Sequence, residues 1–189
     1  MSKNIILIGY RATGKTTVGQ ELATHLGLRF IDMDHEVEQR QGRSISEMVA
    51  DQGWSYFRRL ERELLEELLG WRDVVISTGG GVILNQDLWP RVKASGLVVW
   101  LTADRKTICQ RLLGDDQTAS QRPSLTGSDP FAEIAQVLAQ REPLYRAGSH
   151  LEVDTGCLGL DEIISLIVNR VRELYPMTEG ITGTTGIDE

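Results

Sequence analysis

Gly9-Tyr10-Arg11-Ala12-Thr13-Gly14-Lys15-Thr16 fits the pattern G-x-x-x-x-G-K-[ST], and the residues on either side give the pattern a mechanism. Ile5-Ile6-Leu7-Ile8 before it is a continuous apolar run that reads as a buried parallel strand, and Thr17 to Leu26 after it reads as a helix. A loop between such a strand and such a helix turns its backbone N–H groups onto a phosphate chain. The helix N-terminus adds partial positive charge, and Lys15 reaches the outer phosphates. Gly9, Arg11, Ala12, Thr13, Gly14, Lys15, Thr16 and Thr17 are therefore the candidate ATP-binding residues, with the Thr16 hydroxyl placed to ligate Mg²⁺. The competing reading is an ordinary strand-to-helix connection carrying a surface lysine, and the two flanking elements count against it.

Outward from this stretch, strand-like runs recur at Arg29 to Ile31, Val74 to Ser77, Val98 to Leu101 and His150 to Val153. Helices are expected over Ile45 to Asp51, Ser55 to Leu69, Arg105 to Leu113, Phe131 to Arg146 and Leu160 to Leu174. The alternation predicts an α/β fold with a parallel sheet covered on both faces. Two segments fall outside the pattern. Gly114 to Asp129 is polar, holds Gly114, Pro123 and Gly127, and reads as a mobile loop or a plain surface connection. Thr178 to Glu189 offers little to bury and reads as a disordered tail.

A chain of 189 residues, 41% hydrophobic and 25% charged, fits one globular domain and leaves no room for a second. A net charge of -7 argues against nonspecific nucleic-acid binding, so an anionic ligand must be held by local arginines against the overall sign. Cys109 and Cys157 are too few and too isolated for a disulfide framework or a thiolate metal site. With no apolar run of membrane-spanning length and no signal-peptide pattern, the expectation is a cytoplasmic protein that engages no membrane.

The second substrate has to be read elsewhere in the chain. Asp32 and Asp34 stand just after the second strand, at the carboxyl end where open α/β sheets bind ligands; an acidic helix N-terminus ahead of Glu36 and Val37 is the other reading. Phe57-Arg58-Arg59-Leu60-Glu61 puts two guanidinium groups at the start of a long helix, where the dipole disfavours cations. A bound anion would explain them, and so would surface ion pairs of Arg58 with Glu61 and Arg59 with Glu63. Gly79-Gly80-Gly81 after the third strand permits close backbone approach to a ligand; a flexible turn is the alternative.

In order and spacing these residues resemble the shikimate kinase family along nearly the whole chain to about Leu174. The matching elements are the loop from Gly9 to Thr16, Asp32-x-Asp34, Gly42-x-Ser44-Ile45 leading to Phe57-Arg58-Arg59-x-Glu61, Gly79-Gly80-Gly81, Arg122-Pro123 with Leu125, and Arg141-x-Pro143-Leu144-Tyr145. The resemblance implies a P-loop kinase fold similar to nucleoside monophosphate kinases, with a five-stranded parallel sheet flanked by helices. It also implies a helical substrate-binding section over 34–70 and a lid over 114–129, within a domain of residues 1–177 followed by the tail.

The reaction so implied moves the γ-phosphoryl of ATP to the 3-hydroxyl of shikimate, giving shikimate 3-phosphate and ADP in aromatic amino-acid biosynthesis, with Mg²⁺ as cofactor. By the same resemblance Asp34 holds the reacting hydroxyls and takes the proton. Arg58 and Arg141 bind the shikimate carboxylate alongside Gly79, Gly80 and Gly81, and Arg122 reaches in from the lid. Lys15 neutralises phosphate charge, Thr16 and Asp32 place the metal, and Arg111 stacks on adenine. One chain holds every motif, so a monomer suffices.

Three positions depart from the family pattern. Ala12 stands where many members have glycine, which is tolerable if its φ stays negative. Trp54 replaces a frequent glutamate, and Thr155-Gly156-Cys157-Leu158-Gly159 lacks a proline common in the adenine-contacting loop. A gluconate-kinase-like enzyme is the nearest rival reading. A catalytically inactive nucleotide-binding regulator is another, which the intact Lys15, Thr16, Asp32 and Asp34 disfavour.

Overall fold

The computed structural model describes residues 4–114 and 130–175. Five strands form one sheet: β1 (Asn4–Ile8), β2 (Arg29–Asp32), β3 (Val74–Ser77), β4 (Gly96–Thr102) and β5 (Leu151–Asp154). The order is β2-β3-β1-β4-β5 and every neighbouring pair is parallel. The apolar run before the phosphate loop is thus the central strand, and all five of its residues are buried. Parallel strands covered by helices on both faces need apolar side chains in both directions, hence a continuous run instead of alternation.

In β1, β3 and β4 the two faces separate by parity of sequence position. Ile6, Ile8, Ile76, Val98 and Trp100 pack against α2 (Met33–Gln41), α3 (Ile45–Leu68) and α4 (Trp89–Ser95). Ile5, Leu7, Val75, Val99 and Leu101 pack against α1 (Lys15–Leu26) and α7 (Leu160–Leu174). A third cluster, at the carboxyl end of the sheet, joins Tyr10 and Ala103 to α5 (Arg105–Leu113) and α6 (Pro130–Gly148) through Ile108, Ile134, Val137 and Leu138. Each fully buried Leu, Ile or Val contributes roughly 1.5–3 kcal/mol, so the clusters rather than helix propensity hold these elements in place.

Two helices appear that periodicity did not announce. α2, MDHEVEQRQ, buries Met33, Asp34 and Val37 and has no apolar stripe to read. α4 spans only 7 residues. The two helices expected over 45–51 and 55–69 form one assigned helix, α3, bent at Gly53, whose φ of 78° and ψ of 170° are non-helical. Ser44 caps α3 through a capping box with Glu47, and Gly42 ends α2 in the left-handed region. All but Gly114 of the lid expected over 114–129, Arg122 included, and the tail expected over 178–189 lie outside the described residues.

Candidate active site

The phosphate loop leaves β1 at Gly9 and enters α1 at Gly14. Ala12 adopts φ 61°, so the expectation of a negative φ there is corrected: its methyl is carried in the left-handed region, which costs about 1 kcal/mol. The surroundings over-determine that conformation. Thr13 Oγ1 donates to Tyr10 O at 2.8 Å, Thr155 Oγ1 donates to Thr13 O at 3.1 Å, and Arg111 Nη1 donates to Ala12 O at 3.2 Å. Arg111 also donates to Thr155 Oγ1 and Thr155 O at 2.9 and 2.7 Å, which ties α5 and the segment after β5 to the back of the loop. Lys15 is buried, with Nζ donating to Gly9 O at 3.0 Å and Tyr10 O at 2.7 Å.

Thr16 Oγ1 donates to Asp32 Oδ2 at 2.7 Å across an open cleft that Lys15, Thr17 and Gln20 also line. Asp32 sits at the N-terminus of α2 and lines the cleft. Its Oδ1 caps α2 by accepting the Asp34 and His35 N–H groups at 3.1 and 3.4 Å, while Oδ2 meets Thr16. A hydroxyl and a carboxylate side by side are hard oxygen donors, the set that suits Mg²⁺. No cluster of three or more His, Cys, Asp or Glu able to hold a metal occurs among the described residues.

Beside this cleft lies a second, much smaller pocket. Its walls come from Trp54, Phe57, Arg58 and Glu61 of α3, the three glycines after β3, and Arg141 of α6. Arg11, Asp34 and Ile45 line both spaces, so the cleft and the pocket meet at those three side chains. Asp34 itself is 9% exposed.

Arg58 Nη1 donates to Glu61 Oε2 at 2.6 Å, but Glu61 is only 1% exposed, so this is a buried pair in a pocket wall. Arg59 and Glu63, at 3.9 Å and both more than 60% exposed, form the surface pair that sequence spacing equally allowed. The Trp54 and Phe57 rings sit 5.3 and 5.4 Å from the Arg58 guanidinium carbon, close enough for cation–π attraction. Burial pushes the Glu61 carboxyl above the usual range; neighbouring Asp34 adds to this and Arg58 opposes it.

The glycines are there for clearance. A Cβ on Gly79 would collide with Glu61 Oε1, and one on Gly81 with the Arg58 guanidinium. The Gly80 carbonyl accepts from Arg141 Nη1 at 2.9 Å and from Tyr145 Oη at 2.5 Å. Burial raises the Tyr145 phenol to about 12, so at neutral pH it is a neutral donor. Lys15, Thr16, Asp32, Asp34, Arg58, Arg141 and the three glycines therefore come together, whereas Arg122 lies outside the described residues. Tyr145 stood in a recognised motif without a role. Glu133, buried against Arg11 across 122 positions, carried no signal in the sequence.

Comparison with known proteins agrees with this geometry. The shikimate kinase family matches residues 11–172. Shikimate kinase of Oleidesulfovibrio alaskensis is 47% identical over 80% of this chain and 88% of its own length, and that of Syntrophus aciditrophicus is 43% identical over 89% and 90%. A solved shikimate kinase from Acinetobacter baumannii, in complex with shikimate, superposes with a TM-score of 0.84 at 31% identity, covering 93% of this chain and 96% of that one. A gluconokinase from Sinorhizobium meliloti shares the fold, with a TM-score of 0.58 at 17% identity. Since the match runs from the phosphate loop into the last helix and takes in both pockets, the chain belongs to the shikimate kinase family, ATP-dependent kinases that phosphorylate an alcohol.

Proposed function

We propose that this chain transfers the γ-phosphoryl of ATP to the 3-hydroxyl of shikimate, with Asp34 at the point where the two half-sites meet. The observation that carries the reading is the position of Asp34: buried, and lining both the phosphate cleft and the arginine-walled pocket. A carboxylate there accepts the proton as the acceptor hydroxyl attacks phosphorus; the bond from phosphorus to the β–γ bridging oxygen breaks and ADP leaves. Arg58 and Arg141 take the acceptor carboxylate. Each guanidinium has five N–H donors, so the bonds to Glu61 and Gly80 O orient it and leave others for the ligand.

Gly9, Arg11, Ala12, Thr13, Gly14, Lys15, Thr16 and Thr17 hold the phosphates, and Lys15 exchanges its loop carbonyls for phosphate oxygens. Arg111, anchored beside the loop, serves the adenine side, and Arg122 serves the transferring group. Thr16 and Asp32, adjacent hard oxygen donors, would hold Mg²⁺. Mg²⁺ when bound neutralises charge on the phosphates. The protein acts as a cytoplasmic monomer on these two small molecules, without nucleic acid or membrane; among the described residues no helix is long and apolar enough to cross one.

A coupled assay of ADP release with shikimate, gluconate and no acceptor tests the assignment. Release with shikimate alone is expected, and a product phosphorylated on the 3-hydroxyl by NMR. Turnover with gluconate in place of shikimate would overturn it.

A further inference from the structure

Arg11 Nη2 donates to Glu133 Oε1 at 2.5 Å, with side chains 16% and 1% exposed. A pair sunk this deep forfeits hydration on both sides, and apolar residues of similar volume commonly hold two elements together as well. The apolar neighbours Tyr10, Ile134 and Val137 would have made such a contact easy. Stability alone therefore does not explain a charge pair here.

Its place in the fold does. α6 carries Arg141, about 12 Å along the helix from Glu133 at 1.5 Å per residue. The helix is tied at its far end by Trp89 Nε1 on Gly148 O and Lys93 Nζ on Ala147 O, and in its middle by Arg141 and Tyr145 on Gly80 O. At its near end it is tied to the phosphate loop through Arg11. Arg11 also stands where the cleft and the pocket meet. Arg11 Nε and Tyr10 Oη at this junction are buried and without a hydrogen-bond partner among the described residues. A buried polar group without a partner costs stability, so a rearrangement of this junction is favoured wherever it supplies one.

We propose that Arg11 and Glu133 are a positioning pair coupling the two half-sites. Nucleotide in the phosphate loop sets Arg11, Arg11 through Glu133 sets α6, and α6 sets Arg141, so the acceptor carboxylate binds more tightly once the loop is filled. The inference rests on Arg141 being a ligand of that carboxylate.

The test is calorimetric titration of shikimate with and without saturating ADP, for wild type, Arg11→Met, Glu133→Gln and the double variant. ADP is expected to tighten shikimate binding at least about fivefold in wild type and less than twofold in each variant. A purely structural role would lower the thermal midpoint and leave that ratio alone. A wild-type ratio in the double variant, or a ratio of one in wild type, overturns the proposal. Should the double variant not fold, Glu133→Asp, which withdraws the charge by one methylene, takes its place, and a ratio above half the wild-type value refutes the pair. Arg141→Ala separates this from the acceptor assignment: unchanged shikimate affinity there would refute the assignment, while full coupling in the double variant refutes the pair alone.

Discussion

Two carboxylates share the acceptor pocket, and their surroundings give them different work. Asp34 lines both the cleft and the pocket, so on the proposed mechanism Asp34→Asn is expected to lower kcat at least about a hundredfold with the circular-dichroism spectrum unchanged, because it removes the proposed base. Glu61 is buried behind Arg58, and its raised pKa has a thermodynamic sign. A carboxyl whose folded-state pKa lies above its unfolded value contributes stability in full below the unfolded pKa and loses it as pH rises through the folded one. Glu61→Gln cannot ionise, so its thermal midpoint relative to wild type should climb between pH 4 and pH 8; a flat or falling difference would show that Arg58 overcomes the desolvation. Motif order alone singled out Arg58 and Asp34, which both line the pocket. The sequence could not separate Arg58–Glu61 from Arg59–Glu63, since identical chemistry at helical spacing differs only in which side of α3 the core covers.

Among the elements, α3 shows how a backbone irregularity serves a side chain. Gly53 holds φ 78° and ψ 170°, a region that costs a side-chain-bearing residue of order 1–3 kcal/mol, and the bend comes immediately before Trp54, whose ring lies against Arg58. Nothing stands within 4 Å of a Cβ built at Gly53, so Gly53→Ala would act through the backbone alone. Chemical denaturation should show a loss of about 1–3 kcal/mol, and kinetics a higher KM for shikimate with the KM for ATP little changed. The break in α3 was readable as two separate helices because apolar spacing resumes after Gly53. α2 was not, because its burial depends on Met33 and Val37 alone and its start depends on Asp32, a residue whose type also suits a metal.

Across the whole molecule, β1, β3 and β4 were visible because strands covered on both faces demand apolar stretches, and the mixed edge strands β2 and β5 were found by their place in the alternation; the order in which strands pair leaves no mark on any one of them. The four tryptophans report on different regions of that architecture. Trp89 and Trp100 are in the core, Trp71 lies under Arg29 at 4.1 Å, and Trp54 lines the acceptor pocket. Intrinsic fluorescence should therefore respond to shikimate more than to ATP, and Trp54→Phe should abolish the shikimate-dependent part; a full signal in that variant would move the pocket elsewhere. The pairing order also bears on how the chain reaches this state. Ile5 of the central strand waits for Val75 as its first partner, about 70 residues of synthesis, or roughly 4–14 s on a ribosome. Throughout that interval the most apolar strand is made and unpaired, and the loop that follows it has no wall to lean on. No fragment ending before β3 is expected to retain phosphotransfer, since the central strand then lacks both of its partners.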